Sequence, residues 1–127
     1  MLKTHVLDYP GRHSGEATGK IWDEFSLGRV TSADLEESGR EHRRLNHRML
    51  KASGLDLVPV NDFTFYDRVL DMVQLVGAIP DRFRELGTSD PYELYLAMAT
   101  GYHDGTEQVK PLSTATWFDT SHQYVVP

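Results

Sequence analysis

The chain has 127 residues, of which 39% are hydrophobic and 25% are charged, which allows one compact domain over residues 1–127 and excludes a disordered chain. The formal net charge of −6 repels nucleic acids and anionic membrane surfaces, so we expect neither as a partner. The chain contains no cysteine, which excludes disulfides, thiolate nucleophiles and thiolate metal sites within it.

The first half of the chain predicts a short strand followed by two helices. The strand covers residues 5–7 and ends at a Tyr-Pro-Gly turn. A helix is predicted from about residue 15 to residue 27, where aromatic and aliphatic side chains recur at helical spacing. Thr31 or Ser32 can cap the second helix, which carries acidic residues in its first turn and ends at Gly54.

Residues 55–60 predict a second strand. Every position after Asp56 is apolar, which is typical of a parallel strand that is covered on both faces. Pro59 lacks a backbone N–H, so we expect it near the end of this strand. A loop over residues 61–64 is predicted to follow.

The second half of the chain predicts three helices and a little late strand. The helices are expected over residues 65–77, 80–86 and 91–100. Residues 101–110 are polar and contain glycine, which indicates a loop, and residues 117–118 and 124–126 are strand-like. The alternation predicts an α/β fold with a parallel sheet of about three strands, too few to bury both faces of a self-sufficient sheet.

Two segments combine side chains that could form a site. Residues 61–67 come directly after the predicted second strand, where polar side chains of βα-barrels face the mouth of the active site. Alternatively, Asp62 or Thr64 caps the next helix. Residues 116–124 are dense in aromatic and polar side chains, a mixture that either lines a ligand pocket or packs a strand against a loop.

Metal-binding patterns are weak in this sequence. His42 and His47 are five residues apart and therefore fall on different faces of a helix, which favours a solvated basic face. His13 and Glu16 could supply two ligands, fewer than a metal site needs.

Six stretches of the sequence together resemble the sequence pattern of one protein family. They are Thr4–Pro10, Asp56–Asp71, Gly77–Phe83, Tyr95–Ala99, Trp117–Thr120 and Tyr124–Pro127. Together they resemble the opening part of the cobalamin-independent methionine synthase family, the 5-methyltetrahydropteroyltriglutamate–homocysteine methyltransferases. The similarity runs over essentially the whole chain.

The resemblance implies an α/β fold that is part of a (βα)8 (TIM-type) barrel, the first of two barrels in a long enzyme. In that family a zinc ion in the second barrel binds homocysteine as a thiolate, and the first barrel helps to bind the polyglutamate tail of methyltetrahydrofolate. We therefore expect no catalytic residue, no metal ligand and no bound cofactor in this segment. The implied partners are the remaining barrel segments or the C-terminal catalytic barrel, with self-association through unpaired strand edges as a further expectation.

The sequence departs from the family where the folate tail is expected to bind. The basic Arg-Glu-Leu-Lys motif of the family is replaced here by Glu16, Ala17, Thr18 and Gly19, and a lysine before Trp117 is replaced by Thr116. Each lost charge-assisted hydrogen bond is worth about 1.5–3 kcal/mol. The folate-pocket candidates that remain are Asp62, Trp117, Asp119 and His122.

Three hypotheses follow for the function of the chain. The first is an N-terminal portion of this methyltransferase family that is inactive by itself. The second is a stand-alone divergent relative that acts as a binding or scaffold protein without recognising folate. The third is a small enzyme with a relocated site around Asp62, Asp119 and His122. The sequence shows neither a signal peptide nor an apolar run long enough to span a membrane, so we expect a cytoplasmic protein.

Overall fold

The computed structural model describes residues 1–7 and 16–127, which form two compact units, Met1–Phe65 and Tyr66–Pro127. The helices of the described residues are α1 (Glu16–Ser26), α2 (Ser32–Ala52), α3 (Arg68–Leu75), α4 (Asp81–Arg84) and α5 (Pro91–Thr100). The strands are β1 (Tyr102–His103), β2 (Gln108–Val109), β3 (Ser113–Thr116) and β4 (Gln123–Val126). The predicted Tyr-Pro-Gly turn and His13 lie outside the described residues, and the expectation of a single domain stays a prediction.

The two predicted helices of the first unit are confirmed, and α2 begins where its cap was expected. The Thr31 hydroxyl accepts a hydrogen bond from the Asp34 backbone N–H at 3.2 Å, while the Asp34 carboxylate accepts one from the Thr31 N–H at 2.9 Å. This reciprocal pair satisfies two backbone donors at the helix start. Gly54 follows the helix with φ of +82°, a conformation that a residue with a Cβ rarely adopts.

An aromatic cluster forms the core of the first unit between α1 and α2. Trp22 and Phe65 stack with their ring centroids 6.3 Å apart, and Phe63 meets Phe65 edge-on at 5.0 Å. The buried aliphatic residues of α2, Leu35 and Leu50, complete this core. Phe65 approaches α2 closely because the helix residue opposite its ring is Gly39, which has no side chain.

The prediction of a strand over residues 55–60 is wrong. The structure has only one isolated parallel bridge there, between His5 and Leu57, with the Thr4 carbonyl accepting hydrogen bonds from the N–H groups of Asp56 and Leu57 at 3.1 Å each. Leu57 is 48% exposed and Val60 is 74% exposed, so the apolar run is not covered on both faces. No further strand flanks it among the described residues.

The bridge is reinforced by a carboxylate clamp that should make stability depend on pH. The Asp56 carboxylate accepts hydrogen bonds from the Thr4 backbone N–H at 2.8 Å and from the Thr4 hydroxyl at 2.9 Å. These bonds, with the backbone bond as the larger cause, hold the pKa of the Asp56 carboxyl below its ordinary value. Because the folded-state pKa is lowered, the stabilisation is present above the unfolded-state value of about 3.9 and is lost as the pH falls through the folded-state pKa.

We therefore expect the urea midpoint of the chain to fall as the pH is lowered from about 5 towards 3, and to fall less steeply in Asp56→Asn. The measurement is urea unfolding at a series of pH values. An identical pH dependence in the variant and the parent chain would contradict this assignment of the clamp.

The second unit packs α3 against α5 and β4. Leu70, Val73, Tyr95 and Met98 are buried between these elements. The helix predicted to start near Phe65 starts at Arg68 instead, because Asp67 is its cap and accepts a hydrogen bond from the Leu70 N–H at 2.9 Å. The short helices predicted over residues 80–86 and 91–100 are confirmed as α4 and α5.

The strands of the second unit form two antiparallel hairpins. In the first hairpin, β1 pairs with β2, so the prediction of a loop over residues 101–110 is wrong. The Asp104 carboxylate closes the turn of this hairpin by accepting hydrogen bonds from the N–H groups of Thr106 at 2.9 Å and Glu107 at 2.7 Å. In the second, β3 pairs with β4, and Trp117 and Phe118 lie in the connecting turn instead of a strand. The described residues are thus a mixed α/β fold with short antiparallel pairs, and no barrel is seen in them.

Candidate functional site

Asp62 lies beside a cleft in the first unit. The cleft is small and partly open to solvent. Its lining consists of Arg43, Asn46, His47, Leu50, Pro59, Asn61, Asp62 and Phe63. One wall is one face of α2, and the other is the segment that follows the parallel bridge. Asn61 has φ of +59°, an uncommon conformation that turns the chain sharply before Asp62.

The Phe63 ring forms the apolar wall of this cleft. The guanidinium carbon of Arg43 lies 5.5 Å from the centre of the ring, and the His42 ring stacks near it at 6.2 Å. The ring thus holds a cation in place by its face. Asp62 is half-buried and does not cap a helix, so the capping alternative is wrong for Asp62.

Trp117, Asp119 and His122 lie together in the turn between β3 and β4 of the second unit. The Trp117 N–H donates to the His122 carbonyl at 2.8 Å, and the Thr120 hydroxyl donates to the Trp117 carbonyl at 2.6 Å. Phe118 is 81% exposed at φ of +46°, a strained conformation for a bulky residue. These bonds make an ordered turn with exposed aromatic rings, and whether it binds a ligand stays a prediction.

The substituted folate-tail positions fall on regular elements. Gly19 lies in the second turn of α1, and a Cβ built on it would meet no atom within 4 Å. Glu16, Ala17 and Thr18 form the start of the same helix. Thr116 is the last residue of β3, opposite Gln123, and is exposed. The helix start and the strand end belong to different units.

A polar network around Asp67 was not singled out from the sequence. Besides capping α3, the Asp67 carboxylate accepts a hydrogen bond from the Val125 N–H of β4 at 3.2 Å. The hydroxyl of the buried Tyr95 accepts from the Asp67 N–H at 3.2 Å and donates to the Asp71 carboxylate at 2.7 Å. The network joins α3, α5 and β4. The sequence signal that could have found it is an aspartate directly before an apolar helical period.

Thr64 is buried with an unsatisfied hydroxyl. The side chain is 4% exposed, and its Oγ1 has no hydrogen-bond partner among the described residues. A buried hydroxyl that lost its water contacts without a replacement is destabilising. Thr64→Val keeps the shape and removes the polar atom, so we expect it to raise the free energy of unfolding by up to about 1 kcal/mol.

Urea unfolding of Thr64→Val tests this expectation. Thr120→Val is the control, since the Thr120 hydroxyl donates to the Trp117 carbonyl and accepts from the His122 N–H at 3.1 Å, and its loss should destabilise the turn. A destabilised Thr64→Val would show that the hydroxyl has a partner after all.

The described residues do not fit the zinc ion that the resemblance implies for the complete enzyme. No group of three or more histidine, aspartate or glutamate side chains is arranged to hold a metal in that part of the chain, and the sequence has no cysteine. No helix within residues 1–7 and 16–127 is long and apolar enough to cross a membrane.

Comparison with known families decides the relationship of this chain. The family described as "Cobalamin-independent synthase, N-terminal domain" matches residues 3–127. The chain belongs to this family. The resemblance seen in the sequence is thereby confirmed.

Curated relatives of this cobalamin-independent synthase domain carry the name 5-methyltetrahydropteroyltriglutamate–homocysteine methyltransferase. The chain is 39% identical to the protein of Flavobacterium johnsoniae over 127 residues, covering 99% of this chain and 16% of the relative. It is 36% identical to that of Bifidobacterium animalis subsp. lactis over 126 residues, with 99% and 16% covered. It is 38% identical to that of Streptomyces coelicolor over 122 residues, with 96% and 15% covered. The chain thus spans about one sixth of the length of these relatives.

Proposed function

We propose that this chain is the opening part of the N-terminal barrel of a methionine-synthase-type methyltransferase and has no catalytic activity alone. The reaction of the complete protein would be methyl transfer from methyltetrahydrofolate polyglutamate to homocysteine. The observation that carries the proposal is the family match over residues 3–127, combined with coverage of only 16% of the methyltransferase of Flavobacterium johnsoniae. The zinc-binding and homocysteine-binding groups would lie in the C-terminal catalytic barrel.

The parallel bridge supports the barrel as the native context of the first unit. Residues 5 and 57 pair in parallel, and α1 and α2 lie between them in the sequence. Neighbouring strands of a βα-barrel are parallel and connected through helices, so the bridge is the pairing expected of the first two barrel strands. The exposed apolar side chains of Leu57 and Val60 would then be covered by later strands and helices of the barrel.

The same exposed surface supports the proposed partners. Unpaired strand edges and apolar side chains favour association with remaining barrel segments, with the C-terminal barrel or with another copy of the chain. Light scattering over a range of concentrations tests self-association. A stable monomer at high concentration would count against it.

Recognition of the folate tail by this segment is expected to be weak. Polyglutamate is anionic, and the positions that would carry an arginine and a lysine in the family hold Glu16 and Gly19, with Thr116 in place of the second lysine. We propose the cytoplasm as the location, from the family relationship alone, and no nucleic acid or membrane as a partner, from the net charge of −6.

A chimaera tests the proposal more sharply than the isolated chain. Residues 1–127 would replace the matching segment of the Flavobacterium johnsoniae methyltransferase, and methyl transfer would be assayed with zinc, homocysteine and triglutamyl methyltetrahydrofolate. We expect no turnover from the isolated chain, and turnover from the chimaera with a raised KM for the triglutamyl folate. The matched control restores the basic motif through Glu16→Arg, Ala17→Glu, Thr18→Leu and Gly19→Lys, which should lower that KM. Turnover by the isolated chain would refute the proposal.

The alternative is a stand-alone divergent relative that acts as a binding or scaffold protein without folate recognition. The substituted basic motif is the observation that favours it. A well-folded chimaera that stays inactive even with the basic motif restored would support this alternative. Calorimetry of the isolated chain with triglutamyl folate provides the second readout, since the alternative expects no binding heat.

A further inference from the structure

The hairpin of β3 and β4 has two outer edges, and its register identifies the backbone groups on them. The Trp117 N–H donates to the His122 carbonyl at 2.8 Å, so these two residues form a hydrogen-bonded pair. Hydrogen-bonded and non-hydrogen-bonded positions alternate along antiparallel strands, so Thr114 and Thr116 of β3 are non-hydrogen-bonded positions. Their N–H and C=O groups therefore point away from β4.

The outer edge of β4 is closed by a side chain, whereas that of β3 is open. Val125 of β4 pairs with Thr114, and its outward N–H donates to the Asp67 carboxylate at 3.2 Å. The helix that Asp67 caps packs against β4. On β3, Thr114 and Thr116 are exposed, and their backbone groups have no hydrogen-bond partner in the part of the chain that the structure describes. The hairpin thus offers one free edge.

The β3 strand lacks the features by which proteins keep a free edge from pairing. Its sequence over residues 113–116 is Ser-Thr-Ala-Thr, with no charge, no proline and no bulge. The two threonines are β-branched and suit a strand. A neutral strand can lie beside an identical strand without bringing like charges together, although the chain as a whole carries a net charge of −6. The edge is therefore suited to a second copy of itself.

An antiparallel arrangement of two β3 strands about a two-fold axis at Ala115 satisfies the free groups. Thr114 of each copy then lies opposite Thr116 of the other, so that every outward N–H of these residues donates to an outward carbonyl. The same register places Trp117 of one copy beside Ser113 of the other. Trp117 is 53% exposed in the single chain, and part of its ring would leave water in this arrangement.

We propose that β3 pairs with β3 of a second copy along this edge, which gives a four-stranded antiparallel sheet across a two-fold axis. Because β3 has only 4 residues, the association is weak and concentration-dependent. The inference names the surface for the proposed self-association. It depends on the hairpin alone, so it can fail while the methyltransferase proposal stands.

Sedimentation velocity of the chain up to millimolar concentration, together with amide hydrogen exchange by NMR, tests the pairing. We expect a dimer in which the N–H groups of Thr114 and Thr116 gain protection as the concentration rises, while that of Gln123 does not. Thr114→Pro removes one outward donor per copy and leaves the β3–β4 ladder intact, so it should weaken dimerisation roughly ten- to a hundredfold. Thr116→Lys, which places a charge on the edge, should weaken it as well.

Gln123→Lys is the matched control, since it adds the same charge opposite Thr116 but on the β4 edge, and it should leave the dimer unchanged. Three outcomes would overturn the proposal. They are a monomer at every concentration, equal effects of Gln123→Lys and Thr116→Lys, and a dimer that survives Thr114→Pro but is lost in Val60→Lys, which would place the contact on the exposed apolar run. The amide spectrum of each variant reports whether the hairpin has kept its fold, and Thr116→Lys carries the test if the proline variant has not.

Discussion

Asp67→Ala is expected to lower the free energy of unfolding of the second unit by about 2–4 kcal/mol. Two losses contribute to this value. The first is the cap of α3, where the carboxylate accepts from the Leu70 N–H at 2.9 Å. The second is the acceptor of the hydrogen bond from the Val125 N–H at 3.2 Å. Without it, this N–H would be left unsatisfied in a residue that is only 3% exposed. A surface aspartate substitution has no comparable effect.

Hydrogen exchange resolved by peptide measures this loss in the second unit separately from the first. Asp67→Asn should be intermediate, since asparagine also caps helices but has only one acceptor oxygen for both N–H groups. Asp81→Ala is the control, because the Asp81 side chain is 95% exposed. Equal protection in Asp67→Ala and Asp81→Ala would show that the network contributes nothing to stability.

Gly39→Val is expected to lower the free energy of unfolding of the first unit by about 2–3 kcal/mol. A Cβ built on Gly39 would lie 2.7 Å from the Cζ atom of Phe65, closer than non-bonded carbon atoms approach each other. The Phe65 ring is 8% exposed and is held between Trp22 and Phe63, so it cannot swing aside without disturbing the aromatic core. Gly39→Ala should also destabilise, despite a gain in helix propensity of about 1 kcal/mol.

Gly19→Ala provides the matched control for this prediction. Like Gly39→Ala, it adds one Cβ to a helix, but in α1 the added Cβ meets nothing within 4 Å. It should therefore stabilise the chain by up to about 1 kcal/mol. Adding Phe65→Leu to Gly39→Ala removes the Cζ atom and should recover part of the loss in a double-mutant cycle. If Gly39→Ala stabilised the chain as much as Gly19→Ala, the close approach of Phe65 would be disproved.

Local signals predicted the helices of this chain well. The cap at Thr31, with Asp34 three residues later, determined the start of α2, and Pro91 after Asp90 marks the start of α5, where the Asp90 carboxylate accepts from the Tyr92 N–H at 2.8 Å. These bonds join residues only a few positions apart. A single sequence window therefore contains both partners, which is why the prediction succeeds.

Strands could not be predicted in the same way. The apolar run at Leu57 was expected to be covered on both faces, yet it makes one bridge to His5, some fifty positions earlier in the chain. The first hairpin was missed because its short strands are polar and its turn depends on the side chain of Asp104. Strand pairing depends on a distant partner, and composition does not reveal whether that partner is present.

The candidate sites divide along the same line. Trp117, Asp119 and His122 lie together because they share one turn, and Asp62 follows the bridge; their role in binding a ligand stays a prediction. Arg43, His47 and Asn61 could not be grouped from the sequence, since the helix and the loop that carry them meet only through packing. The Asp67 network, which joins three elements of the second unit, was invisible for the same reason.

The sequence by itself determined the family of this chain, the starts of α2 and α5 and the lack of cysteine ligands, because each of these follows from neighbouring residues or from composition. Only the tertiary structure decided that Gly39 makes room for Phe65 and that Asp67 holds β4. The physical reason is that these contacts join residues far apart in the chain, and their energies arise from burial and close approach that exist only after folding.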